Sequence, residues 1–337
     1  MRKPVYTLLM MFVALFCVSC TLTPQFDETN PREFLERPDI INLPFTISEQ
    51  GLILVPVQID EGAPVFMLID TGATQSAIYK HIDERLNLDQ PKGTVVIYGL
   101  VESGVRPELS LPFIVLDNHT IKNVTVAVLE KIEQKSETSI KVGGIIGLDI
   151  LEDFYLYFDN ETQVLSLIPT HYPPPDLPFT WTRIPLKSNP YKDHDTGLKY
   201  FDVRVAGQLV PALLDTGSEF NLINWPAINH PQISVRRKRL RDEWELRGAI
   251  GTFDPQLQIK IERLRGGQKF WSVRDFLVLN FESLQVLGVQ DEPFIIAGAD
   301  MFTKSTFWLN LEAGEIVIKP NSFDLKPVEK TFITTTF

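Results

Sequence analysis

A chain of 337 residues, 44% hydrophobic and 22% charged, is long enough for two domains and has an ordinary globular composition. Its formal net charge of −11 becomes more negative once Arg2 and Lys3 are set aside. That argues against nucleic acid as a partner, because duplex binding rests on a basic surface.

The first twenty residues read as an export signal. Arg2 and Lys3 give a basic start, residues 5–16 are largely apolar, and Val18-Ser19 precede Cys20. The apolar run is too short to span a bilayer comfortably. The pattern looks like a bacterial lipoprotein signal over residues 1–20, with a lipidated Cys20 as the mature N-terminus, although Cys17 stands where Leu is usual. Ordinary secretion is the alternative. Thr21 follows the cysteine, with no Asp there to suggest inner-membrane retention, so a periplasm-facing outer-membrane anchor in the bacterial cell envelope is expected. Both cysteines lie in this segment, and the body after it can form no internal disulfide. Residues 21–42, polar and Pro-containing, suit a tether.

Residues 43–170 read as a first lobe. Strands are predicted over 52–59 and 65–69, joined by the turn Glu61-Gly62-Ala63-Pro64. The second runs into Asp70-Thr71-Gly72-Ala73, and a brief helix is predicted near 76–86. A hairpin candidate follows from Val95 through Tyr98 and Gly99 to Gly104. Next comes Gly144-Ile145-Ile146-Gly147-Leu148-Asp149, with a short helix near 148–153, and then a strand pair over 154–159 and 164–169. Residues 171–180 hold Pro173-Pro174-Pro175 and Pro178, which suit an extended, stiff linker.

Residues 181–322 repeat the order. A strand near 201–205 precedes Ala212-Leu213-Leu214, which runs into Asp215-Thr216-Gly217-Ser218. A helix is predicted near 225–229. The basic run Arg236-Arg237-Lys238-Arg239, with Arg241, reads as a solvated loop, or else as a contact for anionic headgroups or an acidic partner. A second hairpin candidate holds Gly248 and Gly251. Ile295-Ile296-Ala297-Gly298-Ala299-Asp300 and a strand pair over 306–310 and 315–320 complete the series, leaving 323–337 as a tail.

By composition, one Asp-Thr-Gly triplet should occur by chance in roughly one chain in fifteen of this length. Here it occurs twice, after matching apolar runs. The two Asp residues lie 145 apart, and Gly147 and Gly298 lie 151 apart, which indicates a duplicated lobe.

The paired triplets, the hydrophobic-hydrophobic-Gly segments and the terminal strand pairs resemble those of the pepsin and retroviral-protease superfamily, over roughly residues 45–320. That resemblance implies an all-β fold of two barrel-like lobes, related by a pseudo-twofold axis across a cleft. It implies an aspartic endopeptidase in which Asp70 and Asp215 share a lytic water. Thr71 and Thr216 would cross-link the two loops, and Gly72 and Gly217 would form tight turns with N–H groups facing the carboxylates. Ala73 matches the retroviral form, and Ser218 the pepsin form, where the hydroxyl supports the carboxylate. Tyr98 and Gly99, with Gly248 and Gly251, would belong to flaps over the cleft. Gly147 and Gly298 would let backbones cross closely, with Asp149 and Asp300 as structural hydrogen-bonders.

The implied substrate is an extended or unfolded polypeptide, and the implied state is a monomeric pseudo-dimer. No cofactor is implied, and the five histidines show no metal-ligand spacing. A silent binding or scaffolding module of the envelope is the alternative to catalysis.

Overall fold

The computed structural model describes residues 35–49, 51–86, 91–99, 103–130, 140–174, 176–191, 196–205, 207–228, 236–239, 246–247, 252–253, 257–279, 284–285 and 287–320. The signal segment, Cys20, Gly248, Gly251, Arg241 and the tail lie outside these residues.

Strands dominate, as the alternating and continuous apolar runs require. Ile53–Ile59 alternates buried and half-buried positions along its second half and pairs antiparallel with Val65–Ile69, so the hairpin predicted around residues 61–64 is present. In the first lobe, Val65–Ile69 runs parallel to Val142–Ile146, and Ala77–Tyr79 lies antiparallel on that strand's other side. The second lobe repeats this pattern. Gln208–Leu214 runs parallel to Ile295–Ala297, and Asn221–Asn224 lies antiparallel to the same strand. Each lobe thus delivers its Asp-Thr-Gly triplet from the end of a buried strand flanked by a crossing Gly-bearing segment.

The two lobes meet in a six-stranded sheet, to which each contributes three strands. In order these are Ile41–Pro44, Val164–Pro169, Phe154–Asp159, Phe307–Asn310, Glu315–Ile318 and Thr182–Pro185. The terminal strand pairs of the two lobes join at its centre, with Leu156 opposite Leu309 and Phe158 opposite Phe307. The rings of Phe158 and Phe307 stack at 4.3 Å and both are fully buried. Such a pair adds about 0.5–1.5 kcal/mol beyond its area burial. On the other face, Tyr155 and Trp308 pack with Tyr172, Leu177 and Trp181, so chain on both sides of the proline run lies against this sheet.

One helix differs from expectation. Residues 77–79 form a strand, and the helix begins only at Lys80, as Lys80–Leu86. Ala77, Ile78 and Tyr79 are all buried, and Ala77 and Ile78 pair on both sides, so burial between strands overrides local helical preference. The short helices Leu148–Leu151 and Trp225–Ile228 stand where expected, and a 3-10 turn, Ala299–Met301, mirrors the first of them. The basic run forms the strand Arg236–Arg239, paired with Leu257–Ile261, rather than a loop. No helix among the described residues is long and apolar enough to cross a membrane.

Candidate active site

The two triplets face each other at the junction of the lobes. Thr71 and Thr216 fasten them by four buried hydrogen bonds. The N–H of Thr71 donates to Thr216 Oγ1 and that of Thr216 to Thr71 Oγ1, both at 3.1 Å. The hydroxyl of Thr71 donates to the Leu214 carbonyl at 3.0 Å, and that of Thr216 to the Ile69 carbonyl at 2.8 Å. Every polar group of both side chains is thereby satisfied away from water, as buried polar groups require.

Each Asp is anchored by its own turn. The N–H of Gly72 donates to Asp70 Oδ1 at 2.8 Å, and that of Gly217 to Asp215 Oδ1 at 3.0 Å. The N–H of Asp70 donates to the Ile146 carbonyl and that of Asp215 to the Ala297 carbonyl, tying each loop to its crossing strand. Glycine is demanded by proximity. A Cβ on Gly72 would stand 2.5 Å from Asp215 Cγ, and one on Gly217 would collide with the Asp70 carboxyl. The crossing glycines are equally tight. A Cβ on Gly147 would meet the Gln75 and Ala73 backbones at 2.8–2.9 Å, and one on Gly298 would meet the Ser218 and Phe220 carbonyls at 2.5–2.7 Å.

The Asp70 and Asp215 carboxyls stand against one another, each packed over the glycine of the opposite turn. Burial raises both above the ordinary carboxyl value. For Asp215 the Asp70 charge adds to burial, so it lies well above. For Asp70, N–H groups of Gly72, Ala73 and Gly217 work against burial. Both carboxyls are thus pushed toward the protonated form, Asp215 the more strongly, so the pair holds a proton where free carboxyls would not. Tyr79, buried in the strand after the first triplet, is kept neutral by burial and by the nearby Asp70 charge.

Behind the loops the lobes differ. In the first, Asp149 Oδ1 accepts from the Ser76 N–H at 2.9 Å and the Ser76 hydroxyl at 2.7 Å, while Ser76 Oγ accepts from the Gly147 N–H. In the second, Asn221 takes over, accepting from the Gly298 N–H at 3.0 Å and donating to the Asp275 carbonyl. Asp300 instead pairs with Lys304 at 2.7 Å and lies 3.0 Å from Arg274 Nε, whose N–H is misaligned for a hydrogen bond. Ser76 and Asn221 escape a reading of identical residues, yet both stand six positions after their Asp.

One expectation needs correction. The Ser218 hydroxyl donates to the Phe220 carbonyl at 2.8 Å rather than to a carboxylate; it is the Ser218 N–H that supports Asp215. Tyr98 lies on the outer face of the Gly93–Tyr98 strand, 60% exposed, because alternation turns its neighbour Ile97 toward the apolar wall beside Ala73. Gly99 is buried just beyond it. Of the second hairpin, Leu246–Arg247 pairs with Thr252–Phe253.

Comparison with known proteins agrees with this arrangement. Residues 55–150 match the family model for aspartyl proteases. The aspartic proteinase from Irpex lacteus matches with a TM-score of 0.50 at 11% identity, covering 85% of this chain and 98% of that one. The comparison with curated proteins gave no match. The family match thus covers the first lobe, and over most of its length the chain shares the two-lobed fold of an aspartic proteinase. Among the described residues there is no cluster of His, Cys, Asp and Glu that could hold a metal ion.

Proposed function

We propose that the protein is an aspartic endopeptidase acting on extended or unfolded polypeptide. The observation that supports this reading is the pair of closely facing carboxyls, Asp70 and Asp215, each braced by a turn N–H and held across a buried threonine lock. Two buried carboxyls this close share one proton, which equips them as a base and an acid at once, as in pepsin.

In the resting state Asp70 is the carboxylate and Asp215 the acid. Asp70 takes a proton from a water molecule as its oxygen bonds to the scissile carbonyl carbon, while Asp215 protonates the carbonyl oxygen. The tetrahedral diol then collapses and the C–N bond breaks. The proton held by Asp70 goes to the departing amine, and a diol hydroxyl returns its proton to Asp215. One acid and one amine leave, and the dyad again carries one proton.

One chain supplies both carboxyls, so a monomeric pseudo-dimer with one site per molecule is proposed. The basic start, short apolar run and Cys20 support a lipid-anchored location in a bacterial envelope, with residues 21–42 as spacer. Incubating the signal-less protein with an unfolded polypeptide across a pH series, and sequencing the fragments, tests the reading. New N-termini generated by internal cleavage are expected. A protein that binds the polypeptide and leaves it intact is a binding module instead.

A further inference from the structure

One face of the first lobe's sheet is a registered row. Leu68, Ile145, Ala77 and Ala127 stand side by side across four strands, and the next residue in the row is Glu108. Ala73, beside Asp70, packs into the same apolar patch as Tyr79, Val95 and Ile97, so this row is the wall next to the dyad. The wall turns polar where it reaches the hairpin. Glu108 Oε1 accepts from Gln75 Nε2 at 3.0 Å, and Gln75 lies on the loop that carries Asp70.

Arg106 is the next residue on that face toward the tip, directly opposite Val95 and about 7 Å along the strand from Glu108. Among the described residues its Nη1 donates to the carbonyl of its neighbour Val105, at 3.0 Å. Its Nε is shielded from water and finds no acceptor among the described residues. A shielded guanidinium donor with no acceptor is costly unless something supplies one.

Resting on the peptide-cleft reading, we propose that Arg106 is a specificity determinant that binds an Asp or Glu side chain of the substrate, seated on the apolar wall within a few residues of the cleaved bond. A carboxylate matches the planar fork of the guanidinium and can accept from Nε and Nη together. A basic side chain would meet the Arg106 charge. Glu108 does not compete as a partner for the substrate, since its carboxylate is engaged by Gln75.

A peptide mixture varied at each position near the cleavage site, with Asp, Glu, Asn, Gln, Leu and Lys in equal amounts, reads this out by mass spectrometry at pH 5.5. The wild type should favour Asp and Glu over their amides by about tenfold or more at one position. Arg106→Met should bring that ratio close to one, and Arg106→Glu should turn it toward Lys. The wild-type preference should also fade below about pH 4, where the substrate carboxyl is protonated, which a merely structural arginine would not produce. The preferred peptides are then titrated by fluorescence anisotropy against Asp70→Asn chains with and without Arg106→Met. Cleavage with no acidic preference, or a preference unchanged in the variants, overturns this proposal alone. Arg106-dependent binding of acidic peptides without cleavage by the wild type overturns the hydrolytic reading and upholds this one. Neither cleavage nor binding overturns both.

Discussion

Thr71 and Thr216 each accept the other's backbone N–H at 3.1 Å, a reciprocal lock between positions 145 residues apart. Because each hydroxyl also donates to a carbonyl of the opposite lobe, losing one removes a donor and strands an N–H in a dry interior. Thr216→Val, close in shape, should lower stability by about 2–4 kcal/mol, two buried bonds at roughly 1–2 each. Thr216→Ser, which keeps the oxygen, should recover most of that. Urea titrations of the three proteins check it, and equal midpoints for Val and Thr would show that the lock contributes nothing.

The stacked Phe158 and Phe307 make the central seam of the shared sheet. Phe158→Ala should cost about 3–5 kcal/mol. The same measurement on Phe158→Leu should show a markedly smaller loss. A surface-like cost for the alanine variant, below about 0.5 kcal/mol, would mean that the two lobes do not depend on this seam.

Both site carboxyls are raised by burial, so the folded chain retains protons that the unfolded chain releases. Stability from this source is full below pH 3.8, the ordinary Asp value, and is lost as pH rises through the folded values. Asp215→Asn removes that loss. Relative to wild type, its melting temperature should rise at pH 7 by roughly 2 °C or more over its offset at pH 3.5. An offset that is the same at both pH values would contradict the assigned direction.

The rate profile follows from the same shifts. Cleavage needs one proton across the pair, so it should fall on the acid side as the dyad takes a second proton and on the alkaline side as it loses its last. With both groups raised, both limbs should lie above pH 3.8, and activity should extend toward neutral pH. A profile still rising as pH falls to 3 would oppose this.

What the sequence showed was what duplication wrote twice. Asp70 and Asp215, their following glycines, Gly147 with Gly298, and the terminal strand pairs recur at near-constant offset, so the fold and the dyad could be read directly. What it hid depends on register or on unlike partners. Ser76 with Asp149 in one lobe takes the place that Asn221 fills in the other, and no identity search aligns them. Tyr98 and Ile97 are equal candidates for the wall until the strand's parity is known. The sequence singles out nothing at Arg106, whose place beside Val95 follows only from the strand register. The edge strand Ile41–Pro44, which pairs with Val164–Pro169 more than a hundred residues away, straddles the boundary read between tether and first lobe.

If one chain makes one site, mixing Asp70→Asn with Asp215→Asn molecules should leave the mixture inactive. The aromatic seam and the packed residues Leu177 and Trp181 beside the linker hold the lobes together within one molecule. Recovered activity with a dimeric mass in solution would contradict this.

The central claim is that Asp70 and Asp215 act as a single dyad. Rates of internal cleavage of an unfolded polypeptide, measured for the signal-less wild type, Asp70→Asn and Asp215→Asn, test it most directly. Each substitution alone should reduce cleavage by about a thousandfold or more while circular dichroism and cooperative melting show an intact fold. Undiminished cleavage by either folded variant would contradict it.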